Sequence, residues 1–181
     1  ESSNVDSISK QLASAIRLMP FVMVINERIK EIEVKNLYAK CHFRIIKKDS
    51  ASKQRIEGDT EWYKIVDEVE ITNMLTGKSM SVAVTSLQLF NENGKVNDVV
   101  ILPPFPECCG SVDTIPSLFL WFPLLGTESF GVNFIFHSKR WYPVEKRNNI
   151  MLPENVPSKC EKGAHNEEIL HEMMATLHRY Y

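Results

Sequence analysis

Glycine is scarce in this chain, with seven in 181 residues. None of them forms Gly-x-Gly, and no complete phosphate loop follows a strand, so the chain offers no local backbone nest for a nucleotide's phosphates. Charge of one sign is also missing. Twenty-one basic residues against 23 acidic ones give a formal net charge of −2, which argues against a nucleic-acid or anionic-membrane surface. Uninterrupted apolar runs of the roughly 18 to 20 residues that span a bilayer do not occur, the longest candidate being Leu18 to Ile25, broken by Pro20. Only four cysteines are present, Cys41, Cys108, Cys109 and Cys160, scattered in a way that suits no disulfide framework. A reduced, cytoplasmic setting is the expectation. The opening Glu1-Ser2-Ser3-Asn4 has no basic start, no apolar stretch and no initiator Met, which reads as an internal piece of a larger protein.

Periodicity supplies the elements. Ile8, Leu12, Ala15, Ile16 and Met19 recur at three and four, predicting a helix over residues 7–19 that Pro20 closes or kinks. Phe21 to Ile25 is too apolar for a free linker and must pack against something. From Ile32 to Ile45 the period is two, the pattern of a strand with water on one side. Residues 47–60, with Gly58-Asp59, read as a loop. Tyr63 to Ile71, Val82 to Phe90 and Val99 to Leu102 read as further strands, joined at Thr76-Gly77 and Glu92-Asn93-Gly94 in an antiparallel meander. Pro103-Pro104-Phe105-Pro106 ends it, and a loop containing Cys108-Cys109-Gly110 follows. Pro116 to Leu125 is a strongly apolar run suited to a central strand or a buried edge, and Val132 to Phe136 another short strand. Residues 137–164 read as mostly loop, with Pro143, Pro153 and Pro157 forbidding a long helix. Asn166 caps a last helix with an apolar stripe of Ile169, Leu170, Met173, Met174, Leu177 and Tyr180, its start favoured by Glu167 and Glu168 and its end by His178 and Arg179.

Chemistry is hard to find in this pattern. Cys41 and His42 point to opposite faces of a strand, and His171-Glu172-Met173-Met174-Ala175 fails the zinc-protease spacing at Ala175. Cys160 and His165 lack the flanks of a nucleophile turn. The segment rich in both aromatics and charge is Phe122 to Arg147, costly to order unless it meets a partner or its own sheet.

Within that segment, Phe122-Pro123-Leu124, Gly126-Thr127-Glu128-Ser129-Phe130 and Pro143-Val144-Glu145-Lys146-Arg147 resemble bacterial ATP-binding proteins related to heat shock protein 90 and sacsin, of the GHKL ATPase superfamily. The likeness covers residues 116–152 well, then Asn166 and the final helix, and the first hundred residues only by general layout. It implies a middle, or transducer, domain. The fold so implied is α+β: a mostly antiparallel or mixed sheet with helices on one face, like the second domain of ribosomal protein five, with a helix at each end of the chain. Residues 1–27 would be a connector or the tail of an upstream ATPase domain, and residues 28–181 the middle domain.

The resemblance also implies a function: coupling nucleotide state to domain movement without a catalytic site in this segment, with ATP and Mg held by the parent protein and no metal or cofactor here. A basic side chain from such a domain reaches the γ-phosphate; Arg147 is the matching residue, with Arg140 and Lys146 as rivals. Phe122, Pro123, Gly126, Glu128, Pro143 and Glu145 would shape the loops. Implied partners are the upstream ATP-binding domain, protein clients and a second copy of the chain. Two departures stand out, since the family pattern has Asn at His137 and Asp-Gly at Asn148-Asn149. Read without the resemblance, the aromatic loop suits a stand-alone protein-interaction module with no link to ATP.

Overall fold

The computed structural model describes residues 2–37, 39–50, 52–56, 61–109, 114–153 and 160–181. Gly58-Asp59, Gly110 and Pro157 lie outside these. The first helix, α1, spans Ser2–Ile25 and runs straight through Pro20. The reason is on its far side. Phe21, Val22, Met23, Val24 and Ile25 are each at most 1% exposed. Burying five such side chains at about 1.5–3 kcal/mol each outweighs the roughly 3 kcal/mol that an interior proline costs. The turns before it carry the expected face, with Ile8, Leu12, Ala15, Ile16 and Met19 all half-buried.

Among the described residues nine strands form one sheet: β1 (Glu31–Asn36), β2 (Cys41–Lys47), β3 (Ser52–Arg55), β4 (Trp62–Asn73), β5 (Ser79–Phe90), β6 (Val96–Ile101), β7 (Leu118–Leu120), β8 (Phe122–Pro123) and β9 (Ile135–Ser138). Their order is β1-β2-β4-β5-β6-β9-β7-β8, with β3 on the free half of β4. The meander is antiparallel, and β7 joins β9 in parallel. Three expectations change. The stretch from Ile32 to Ile45 is a hairpin, because the Asn36 side chain accepts from Ala39 N at 2.9 Å and Lys40 takes a positive φ of 47°. Part of the polar segment after Lys47 pairs with β4 as β3. The apolar run from Pro116 breaks at Trp121, whose φ of 66° reverses the chain between β7 and β8.

The closing helix, α2, spans Glu161–Tyr180. It begins five residues before Asn166, which is therefore an interior residue and not a cap; Glu161, not Glu167 or Glu168, occupies the first turn. The stripe that α2 buries includes Gly163, Asn166, Ile169, Met173, Thr176 and Leu177, while Met174 stays 45% exposed.

Register assigns the faces. Ile45 opposes Ile71, Val69 opposes Val82, and Ile101 opposes Ile135; these side chains pack with Met23, Val24 and Ile25 under α1. Leu87, Val100, Leu118 and Phe136 alternate to the other face and pack with Ile169, Met173 and Leu177 of α2. The α+β class, the mixed sheet and the two terminal helices stand as expected, but the helices take opposite faces. Residues 21–25 thus belong to the core of the 28–181 sheet. By length and composition Val5–Ile25 also passes as a membrane-crossing helix, with mean hydropathy 1.4 and a third of it buried in the domain.

His137, on β9, lies in this core at 0% exposure. Its Nδ1 donates to the Phe119 carbonyl at 3.0 Å, the Trp121 ring centre is 5.0 Å away, and Nε2 has no partner among the described residues. Burial, with Lys139 nearby, pushes its pKa down to about 4. Between that value and the ordinary 6.5 the unfolded chain binds a proton that the folded one refuses, so stability falls as pH drops through this window. At 1.36 kcal/mol per unit the loss by pH 4 comes to about 3 kcal/mol. Denaturant midpoints measured from pH 7 to pH 4 should show that decline, and it should be largely absent in His137→Asn.

Candidate functional site

Between β9 and α2 the chain makes a short tongue. Its base is a bridge between Pro143 and Ile150, with Met151 N donating to Tyr142 O at 2.9 Å. Nearer the tip, Val144 N donates to Asn149 O at 3.0 Å and Arg147 N to Val144 O at 2.9 Å. Trp141 and Ile150 are buried at the root, and Glu145, Lys146, Arg147 and Asn148 are exposed at the tip. The left-handed residue of this turn is Arg147, at φ 52°. A non-glycine residue there costs about 1–2 kcal/mol. It holds because the hydrogen bonds on either side fix the loop, and such strain is a pointer to function rather than proof of one.

Two anchors fasten the tongue. Asn166, fully buried on α2, accepts from Tyr142 N at 2.9 Å and donates from Nδ2 to the Tyr142 and Met151 carbonyls, both at 2.8 Å. Arg140, at the tongue's entry, binds Asp98 Oδ2 at 2.6 Å and Glu172 Oε2 at 2.7 Å, joining β6 to α2. Asp98 is fully buried and Arg140 is one-third exposed. The two carboxylates raise the guanidinium's pKa against the opposing effect of burial. Arg140 is thus committed within the domain, whereas Arg147 and Lys146 meet no carboxylate among the described residues.

The Phe122–Phe130 loop packs beside the tongue. Thr127, buried, donates its hydroxyl to Leu124 O at 2.8 Å and accepts from Leu118 N at 3.1 Å. Gly126 takes φ 106°, which favours glycine there, donates its N–H to Glu128 Oε2 at 2.8 Å, and lies beside Asn148, whose carbonyl oxygen would be 3.8 Å from a Cβ at this position. Glu128 therefore shapes the loop from its exposed side. Phe122 and Pro123 form the edge strand β8, and Phe122 and Leu125 are 57% and 64% exposed. Pro143 starts the tongue and Glu145 stands at its tip.

No family model, curated protein or solved structure matches the chain. Function has to be read from the geometry.

Among the described residues no cysteine is hydrogen-bonded to a histidine or carboxylate. Cys109 lies in the α1 core, where burial pushes its thiol pKa up and away from the reactive thiolate. Its neighbour Cys108 is 3.9 Å away, sulfur to sulfur, and all four cysteines are free thiols. Gly77-Lys78-Ser79 has the letters of a phosphate loop's end, but it lies at the β4–β5 hairpin and opens into a strand, not a helix. Among the described residues no group of three or more His, Cys, Asp or Glu gathers to hold a metal. What the site presents is two neighbouring cations, Lys146 and Arg147, at the exposed tip of a hydrogen-bonded turn.

Sequence reasoning missed Asn166, Asp98 and Glu172. Two left a signal. Asn166 falls on the apolar stripe of α2 three residues before Ile169, and Asp98 lies among the valines of β6; a polar residue at such a position is either paired or very costly. Arg140→Ala should strand the buried Asp98 charge and destabilise the domain by about 3 kcal/mol, the bottom of the range for broken buried pairs because water reaches Arg140. Arg147→Ala should stay within about 0.5 kcal/mol of the parent. Urea midpoints of the two variants, measured side by side, check both.

Proposed function

We propose that this chain is a non-catalytic coupling domain of a heat-shock-protein-90-like ATPase, whose Arg147 reaches the γ-phosphate of ATP held with Mg by a neighbouring module. The observation that carries the reading is the division of labour between two arginines. Arg140 is consumed by Asp98 and Glu172; Arg147 stands at the exposed tip of a turn fixed by Asn166 and the Pro143–Ile150 bridge. A guanidinium held in place before the charge develops loses little freedom when it meets the phosphate oxygens, which is what makes electrostatic stabilisation effective. It also reports that nucleotide is bound, because the tongue's root joins β6, β9 and α2. A force on the tip is therefore felt by the whole sheet. The resemblance of residues 116–152 to that family supports the same assignment, as do Lys146 beside Arg147 and the loop packed at Gly126.

One feature favours a second reading, a protein-interaction module without ATP. Phe122, Leu125 and Tyr142 are 57%, 64% and 43% exposed near the tongue, and exposed apolar side chains grouped together mark contact surfaces. The two readings part at the chemistry. In a chain that includes the nucleotide-binding module, Arg147→Ala should slow ATP turnover at least about tenfold, a modest share of what a phosphate-contacting arginine commonly contributes. Lys146→Ala should change it far less. Turnover unaltered by Arg147→Ala removes the coupling assignment and leaves the interaction module.

A further inference from the structure

The α1 face of the sheet changes character where the helix stops. Under α1 its side chains are apolar, from Ile45 and Ile71 to Ile101 and Ile135. Past Ile25 the same face turns up Asp67, Ser86 and Gln88, at 1%, 0% and 4% exposure. They form a connected network. Ser50 Oγ donates to Asp67 Oδ1 at 2.8 Å, and Lys47 Nζ approaches the same oxygen at 3.3 Å and the Met23 carbonyl at 3.3 Å. Gln88 Nε2 donates to Ser86 Oγ at 2.9 Å and reaches Asp67 Oδ2 at 3.5 Å. A buried ion pair is often no more stabilising than well-packed apolar residues of the same size, so core closure alone does not explain this group.

The network floors an open cleft of about 310 Å³. Its mouth carries the exposed Lys30, Lys48 and Lys53, and one wall is apolar, made of Ile65, Phe90 and Val96. Glu27 is occupied, since its Oε1 accepts from Val96 N at 2.7 Å, and Lys48 is paired with Glu70. Lys30 and Lys53 meet no carboxylate among the described residues; Lys53 Nζ rests 3.9 Å from the Phe90 ring centre.

We propose that this cleft binds a small hydroxylated anion of the sugar-phosphate class. The phosphate meets the lysine mouth, where compact ammonium charges suit a dianion. The hydroxyls meet the exposed Asp49 and Ser50 on the rim and Gln88 at the floor, and the carbon skeleton lies along Phe90 and Val96. The volume is at the small end of ligand pockets and exceeds what a bare phosphate would fill. The cleft shares no residue with the tongue, so the proposal stands or falls apart from the ATP-coupling role.

Ribose 5-phosphate, ribose and inorganic phosphate, each titrated into the 181-residue chain by calorimetry with amide shifts followed by NMR, test it. Ribose 5-phosphate should bind saturably and at least about tenfold more tightly than either part alone, a difference of about 1.4 kcal/mol. Lys30→Ala/Lys53→Ala should weaken that binding about tenfold or more while keeping the parent Tm, because both side chains are exposed. Amide shifts should concentrate at residues 47–50 and around Gln88. Absence of saturable binding, undiminished binding in the double variant, or inorganic phosphate binding as tightly as the sugar phosphate would each overturn the proposal.

Discussion

Asp98 is a carboxylate at the centre of the sheet with no access to water, and the cost of leaving such a charge unpaired is large enough to dictate what surrounds it. Arg140 must come to it, so the residue following β9 by two positions is held in place. Once there, the guanidinium also binds Glu172, and α2 is tied to the α2 face at a chosen height. The tongue that begins at Trp141 inherits this position. Its other anchor, Asn166, works in the same way: a buried amide with three hydrogen bonds joins the backbone on both sides of the tongue to the helix. Neither anchor lies at the tip. The polar interior fixes the root, and among the described residues Arg147 at the tip meets no carboxylate, as the proposed coupling role requires.

The elements with a strong period were legible in the sequence. The meander strands, the covered face of α1 and most of the α2 stripe follow from alternation at two or at three and four. What was not legible came from competition between terms. Pro20 is a local stop signal, and the burial of Phe21 to Ile25 overrides it. The β1–β2 reversal rests on one side-chain hydrogen bond from Asn36, in a stretch whose alternation continues without a break on either side. β3 is polar because it lies on the free half of β4, where water reaches it, so no apolar pattern announces it. The start of α2 was misplaced because Asn166 has the chemistry of a cap, and only its place on the apolar stripe betrays an interior role. For the arginines the reason is related: the sequence names Arg140 and Arg147 as rivals, and only three-dimensional pairing shows that Arg140 is committed to Asp98 and Glu172.

Covering both faces of the sheet creates two different margins. On the α2 face the cover stops short, and β1, β2 and the far halves of β4 and β5 show water a field of polar pairs, Glu31 with Arg44 and Glu33 hydrogen-bonded to His42. Hydrogen bonding to Arg44 lowers the pKa of Glu31, yet these exposed pairs contribute little to stability. Their use is to keep the β1 edge soluble and unattractive to another strand. On the α1 face the margin lies below Ile25, where a bare apolar patch would be a liability. The chain there substitutes a satisfied polar network floored by Asp67. One margin is a solvated surface and the other a concave pocket, and the difference follows from which side chains alternate into each.

Two bulky residues hold left-handed backbone at this end of the molecule, Trp121 and Arg147. Trp121 recovers its cost through contacts: its ring packs against His137 and lies 5.1 Å from Lys139 Nζ. For Arg147 no such ring contact exists among the described residues. Glycine or asparagine at its position would relieve the strain, and the chain places an arginine there instead, with Asn148 and Asn149 directly following. The backbone hydrogen bonds of the turn hold this conformation, and among the described residues no side-chain hydrogen bond or ion pair of Arg147 adds to them. In the proposed coupling role, contact with an anion outside the domain would supply the missing term, because the backbone that strains the free domain would also aim the side chain before the anion arrives.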